Sequence, residues 1–148
     1  MALNIKRLSG PSVITATETI AAKYNNTAGT SITGGVAGLV PFATKDYDTH
    51  NAFASNTYTI PVSGKYIITS LVTGTTTSTG ISIRIKVDGT DVAIGRGYNT
   101  TAGPVALISA ILNLNAGQAI TIYADASTTQ NLATFAGGNY FSIVRVGN

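Results

Sequence analysis

The residues best equipped for chemistry sit in one segment, Lys45-Asp46-Tyr47-Asp48-Thr49-His50-Asn51, which holds the chain's single histidine and two of its six acidic residues. Alternation along a strand would put Asp46, Asp48 and His50 on one side, a spacing that suits a divalent cation held by two carboxylates and an imidazole. The competing reading is a hydrated loop whose charges point into water, and it is the one adopted here: no metal and no cofactor is expected. Catalysis has less to draw on. A Ser-His-Asp arrangement needs a nucleophile held against His50, and no Gly-x-Ser-x-Gly elbow occurs. Glycoside hydrolysis by paired carboxylates finds few candidates among six acids. Zero cysteines exclude thiol catalysis, thiolate zinc sites and disulfides together. The chain is expected not to be an enzyme.

Binding is better provided for. Gly34-Gly35 and Gly95-Arg96-Gly97 look like phosphate loops, yet neither opens a helix whose amides would bind an anion, so both are read as plain loops. Arg84 and Lys86 share one face of a strand, where they serve either an anionic glycan or, as we read them, a solvated sheet edge. The seven tyrosines are assigned mainly to buried contacts, because burying an aromatic ring contributes about 2 kcal/mol or more. Tyr98, in a Gly/Thr/Asn-rich stretch, is the expected exposed exception and a platform for a sugar ring.

Composition sets the frame for these side chains. Of 148 residues, 44% are hydrophobic and only 10% charged, which excludes a disordered chain; the length suits one domain with a core that needs no staples. Nine Lys/Arg against six Asp/Glu give a net charge of +3, scattered from Lys6 to Arg145 without the stripe that nucleic acid requires. Lys6 and Arg7 are followed by Leu-Ser-Gly-Pro rather than an apolar core, so no secretory signal is read, and no run reaches the about 18 apolar residues of a membrane span. The expectation is a soluble protein made in a cytosol, with neither nucleic acid nor membrane as partner.

Strands must position everything. Tyr58, Ile60 and Val62 alternate before a Ser63-Gly64 turn into Lys65–Val72, and Ile81, Ile83, Ile85 and Val87 share a core side opposite Ser82, Arg84 and Lys86. Asp88-Gly89 supplies the positive-φ pair of a two-residue hairpin into Val92–Ile94. Gly95 to Pro104 reads as a long loop. Val105 to Leu114 is apolar on both alternating faces, the pattern of a strand covered on both sides, and in a small all-β chain the second cover is another subunit. With Ala119–Tyr123, Tyr140–Val146 and candidates around 20–24, 32–40 and 42, about eight to ten antiparallel strands are expected, which means a β-sandwich or jelly roll. Residues 1–17 form an N-terminal arm, and 18–148 a single domain.

Tyr58-Thr59-Ile60-Pro61-Val62-Ser63-Gly64-Lys65-Tyr66 resembles the Pro-Val-x-Gly-x-Tyr turn of the globular-head family of the complement first component, a subgroup of tumour-necrosis-factor-like jelly rolls. Leu114-Asn115-Ala116-Gly117-Gln118 is similar to its Leu-x-x-Gly-Asp turn, Phe135-Ala136-Gly137-Gly138-Asn139-Tyr140-Phe141 to its Phe-x-Gly approach to the last strand, and Val40-Pro41-Phe42 and Asn51-Ala52-Phe53 to its early strands. Gln118 replaces the family's acidic residue, and no collagen-like stalk accompanies the domain, which points away from a complement or hormone role. The resemblance implies a homotrimer packed through one sheet. Tyr58, Tyr66, Leu107, Ile111, Tyr123, Phe135, Tyr140 and Phe141 are the expected core or trimer-interface residues.

Relatives of this domain also occur in bacterial and phage surface proteins, as fibre tips, spore-surface proteins and virion decorations, and a Thr/Ser/Asn-rich, cysteine-free chain without a signal is most similar to the phage group. The expected function is therefore that of a bacteriophage structural protein: a capsid decoration, or cement, protein seated on the surface of the virion head. Its partners would be its own copies and the major capsid protein. Leu3, Ile5, Leu8, Val13 and Ile14 would bury on the shell, with Lys6 and Arg7 meeting acidic capsid residues. The alternative is a receptor-binding tip of a tail or head fibre, contacting host glycans through loops 74–80 and 95–103.

Overall fold

A computed structural model describes residues 19–77, 79–135 and 137–148. The arm residues Leu3, Ile5, Lys6, Arg7, Leu8, Val13 and Ile14 lie outside the described residues. The chain opens with β1 (Ala21–Asn25), then crosses a Gly/Thr-rich stretch that sustains only β2 (Ser31–Ile32) and β3 (Gly38–Leu39). β4 (Thr44–Asp48) follows, and β5 (Phe53–Ala54) turns into β6 (Thr57–Thr59) through Ser55 and Asn56, both at positive φ. β6 is shorter than its alternation suggests because Pro61 has no amide hydrogen to continue a ladder. Tyr58 and Ile60 are buried all the same, while Val62 is left exposed.

The long strands come next: β7 (Gly64–Thr73), β8 (Thr79–Val87), β9 (Thr90–Asn99), β10 (Val105–Leu114) and β11 (Ala119–Ala126), then the short β12 (Gln130–Asn131) and β13 (Tyr140–Gly147). Asp88 and Gly89 stand at φ 50° and 81° between β8 and β9, the two-residue hairpin that this dipeptide favours. Among the described residues, no helix is long and apolar enough to cross a membrane.

Two antiparallel sheets stack as a sandwich. The first has the order β10-β7-β13-β1-β4 and the second β5-β6-β11-β8-β9, with β3 also on β11. Alternate residues of both sheets fill the space between: Tyr66, Ile68, Val72, Phe141 and Ile143 from the first, Ile81, Ile83, Ile85, Ile120 and Ile122 from the second. Phe141 is the aromatic centre, with ring centroids of Phe53, Tyr58 and Phe42 at 5.8, 6.1 and 6.2 Å. This is the all-β, jelly-roll sandwich expected from the strand pattern.

The stretch Gly95-Arg96-Gly97, read above as loop, is strand: β9 runs on to Asn99. Its glycines are there for close approach rather than for a turn. A Cβ on Gly95 would sit 2.5 Å from the Leu107 carbonyl oxygen, and one on Gly97 would collide with that of Val105. β9 and β10, the edge strands of the two sheets, thus close one side of the sandwich backbone to backbone.

Candidate functional site

The outer faces of the two sheets are built by the same period-2 rule from different residues. On the first sheet, the register places Leu107, Leu71 and Tyr140 in one cross-strand row and Ile111, Ile67, Val144 and Ala21 in another. Between them runs a row of Ser109, Thr69, Ser142 and Lys23. The Thr69 and Ser109 hydroxyls are 3.1 Å apart, and the Ser142 hydroxyl donates to the Thr69 carbonyl at 3.4 Å. Leu107 is 56% and Ile111 69% exposed in the protomer. The strand expected to be covered on both sides is therefore covered by its own protomer on one only: Ala106, Ile108 and Leu114 face the core, and Val105, Leu107 and Ile111 face out.

The outer face of the second sheet is charged and already paired. Arg84 reaches Asp125 at 2.6 Å and Asp91 at 3.1 Å, and Lys86 reaches Asp91 at 2.8 Å while its ammonium lies 5.1 Å from the Tyr123 ring centroid. Burial pulls the Asp125 carboxyl upward, but hydrogen bonds from Arg84 and Ser82 and the charges of Arg84 and Arg96 outweigh it and hold it below the usual carboxylate range. The Lys86 hydrogen bond, the largest influence, holds Asp91 down against the upward pull of burial, and the Arg84 hydrogen bond adds to it. The edge role expected for Arg84 and Lys86 is corrected here: β8 lies between β11 and β9, and neighbouring strands supply the counter-charges.

Beside this ion-pair cluster an open groove of about 550 Å³ runs over β8 and β9, lined by Gly80, Ser82, Arg96, Tyr98, Asp125 and Ser127 among others. Tyr98 is 68% exposed. Its neighbours in the groove went unnoticed in the sequence because Gly95 and Gly97 hid the strand; continuing the alternation of Val92 and Ile94 would have put Arg96 and Tyr98 on the same side.

The acid–histidine segment separates. Tyr24 pairs with Lys45 and Lys23 with Tyr47, so Asp46 is the extra residue of a β-bulge and the period-2 count fails there. Asp46 meets Lys23 at 2.8 Å and accepts from Asn25 at 2.7 Å, whereas Asp48 accepts the Tyr24 hydroxyl at 3.0 Å and the amides of His50 and Phe53. Burial, then that bond to Asp48, pushes the Tyr24 hydroxyl up to about 12. His50 lies beyond the end of β4, its Nδ1 2.8 Å from the Thr49 hydroxyl. Among the described residues, no group of three or more His, Cys, Asp or Glu gathers as metal ligands.

Of the residues assigned to core or interface, Tyr58, Tyr66 and Phe141 are in the core. Leu107, Ile111 and Tyr140 are on the outer face of the first sheet. Tyr123 is not in the core: it is half-buried on the second sheet's outer face, opposite the buried Ile120 and Ile122 of β11. Phe135 is an exposed turn residue whose carbonyl accepts from Gly138. In the turn before β11, Gln118 stands in for the acid of the resembled family by bridging the Asn115 amide and the Asp88 carboxylate.

No family model and no curated protein matches this chain. Solved structures do. An Eiger tumour-necrosis-factor domain from S. frugiperda superposes with a TM-score of 0.70 at 12% identity, over 88% of this chain and 94% of that one. Murine APRIL gives 0.66 at 12% identity over 87% and 100%, and the globular domain of zebrafish complement 1qA gives 0.55 at 18% over 88% and 98%. The fold is thus a C1q/TNF-like jelly roll.

Proposed function

We propose that this C1q/TNF-like jelly roll is a homotrimeric structural protein of a phage virion, a capsid decoration or cement protein that sits on the head surface and stabilises the shell. The observation that carries the assembly is the outer face of the first sheet. Two apolar rows flank a row of Ser109, Thr69 and Ser142 hydroxyls that ends at Lys23, and Leu107 and Ile111 are more than half exposed. A contiguous apolar face of this kind marks an interaction surface, since burying it contributes about 25 cal/mol per Å². A fold that usually closes as a trimer meets that need with copies of itself.

The shell is supported by a quieter set of features. The chain is cysteine-free and only 10% charged, and residues 1–17 combine Lys6 and Arg7 with apolar residues suited to grip the major capsid protein. Mixing undecorated capsids with the full chain and with a chain starting at residue 18 tests this. Both are expected to be trimers by analytical ultracentrifugation, and only the full chain should cosediment with the shell, the truncated one at least tenfold more weakly. Equal decoration by the two would sink the arm, and a monomeric full chain would sink the assembly. The second reading, glycan contact by a fibre tip, is favoured by a separate observation, the groove beside the exposed Tyr98.

A further inference from the structure

The groove on the second sheet has a floor made of two cross-strand rows. In the first, Asp125 pairs with Ser82 and Ser82 with Arg96, so a carboxylate, a hydroxyl and a guanidinium stand side by side on three strands. In the second, Gly80 pairs with Tyr98, and on its other side exchanges hydrogen bonds with Ser127: the Ser127 amide donates to the Gly80 carbonyl at 2.9 Å, and the Gly80 amide to the Ser127 hydroxyl at 3.0 Å. With no side chain at Gly80 the trough between Ser127 and Tyr98 stays open. A Cβ there would already lie 3.6 Å from the Tyr98 ring.

Charge in the groove is uneven. The Asp125 carboxylate is offset by Arg84 at 2.6 Å, one row away. Among the described residues, no ion pair or hydrogen bond holds the Arg96 guanidinium, whose charge acts on Asp125 from a distance. The groove therefore offers one positive charge, an aromatic ring that is 68% exposed, two hydroxyls and a carboxylate that retains acceptor sites. A nucleic acid or polyphosphate is a poor match, because it needs several cations in line and would bring its charge against Asp125. A neutral aromatic compound would leave Arg96 and Asp125 unused.

We propose that this groove binds a saccharide bearing a carboxylate. The C–H face of the sugar ring stacks on Tyr98, its carboxylate takes the two parallel N–H groups of Arg96, and its ring hydroxyls donate to Asp125 and bond Ser82 and Ser127. The inference rests on the glycan-contact reading and is independent of the shell.

The test is calorimetric titration of the full-chain protein with two hexasaccharides of the same β-1,4 linkage: cellohexaose, and its counterpart oxidised to glucuronate in every ring. Wild type is expected to bind the acidic hexamer with a Kd of about 1 mM or tighter, at least tenfold tighter than the neutral one. Tyr98→Ala should weaken both sugars at least tenfold. Arg96→Gln should erase the preference and leave the neutral sugar unchanged, with melting temperature and assembly mass as for wild type in both variants. Equal binding of the two sugars by wild type overturns the carboxylate and leaves glycan contact standing. Binding of neither sugar, or binding that survives Tyr98→Ala, overturns the site itself.

Discussion

The sandwich has two outward faces, and the protein treats them oppositely. The first sheet shows Leu107, Ile111, Leu71, Ile67, Tyr140 and Val144 in rows with hydroxyls between, and Lys23, Lys65 and Arg145 are the charges that β1, β7 and β13 carry. On the second sheet, Arg84, Lys86, Asp91 and Asp125 neutralise one another, so that cluster needs no partner chain. A charge-poor chain that gathers Arg84, Lys86, Asp91 and Asp125 outside one sheet, with Lys23–Asp46 at the β1–β4 side of the other, leaves the apolar rows of β10, β7 and β13 for burial. The contrast predicts that a charge is tolerated outside the second sheet and ruinous outside the first.

Ile111→Asp should have the largest effect. An unpaired carboxylate in the middle of an apolar contact costs several kcal/mol per copy, so association should weaken more than 100-fold and sedimentation should fall to the 15.1 kDa protomer. The protomer should remain folded by circular dichroism, because the Ile111 side chain takes no part in the core. Ile94→Asp is the matched control: Ile94 is also exposed, at 47%, but outside the second sheet, and its variant should keep the parent mass. Equal behaviour of the two variants would break the comparison.

Arg84→Met acts on the other face and more weakly. Removing the guanidinium leaves Asp125 and Asp91 without their shared partner while the longer apolar stem still covers the sheet, and stability should drop by about 1 to 2 kcal/mol with no change in assembly mass. The readout is the urea midpoint set beside the sedimentation profile. A variant as stable as wild type would mean the ion pairs contribute nothing and the second face is merely solvated.

How far these faces were legible depended on whether local or distant residues set them. The β8–β9 hairpin was plain, because Ile81, Ile83 and Ile85 alternate and Asp88-Gly89 makes its turn without help. The double apolar pattern of Val105–Leu114 marked a strand with the bounds observed, one of whose faces enters the core while the other lies outside the protomer. Gly95 and Gly97 misled, because the reason for a glycine there is the carbonyls of Leu107 and Val105, which no local rule can see. Asp46 misled for a related reason: a bulge adds one residue and inverts every later assignment of sides. Arg84 was placed on the correct face and given the wrong neighbours, as its partner Asp125 lies 41 residues downstream. Tyr123 is different, since the alternation of Ile120 and Ile122 just before it was visible and already put it outside.

The smallest effect is the most discriminating, and it concerns acid. The carboxyls of Asp46, Asp88, Asp91 and Asp125 are all held below their ordinary value, Asp88 by the Ala119 amide and then Gln118, and Asp46 by Lys23 and then Asn25. A depressed carboxyl stabilises the fold above the unfolded value of about 3.9, and that contribution is lost as pH falls through the folded value. Wild type should therefore hold its urea midpoint down to about pH 5 and lose it progressively below about pH 4. In Arg84→Met the largest downward influence on Asp125 is gone while burial remains, so protonation of Asp125 opposes that variant's fold less than it opposes that of wild type. The stability gap between wild type and Arg84→Met should narrow between pH 7 and pH 3. A gap that stays constant with pH would show that Arg84 stabilises the second face by packing its stem and not by pairing its charge, and the contrast between an apolar and an ion-paired face would then rest on the first sheet alone.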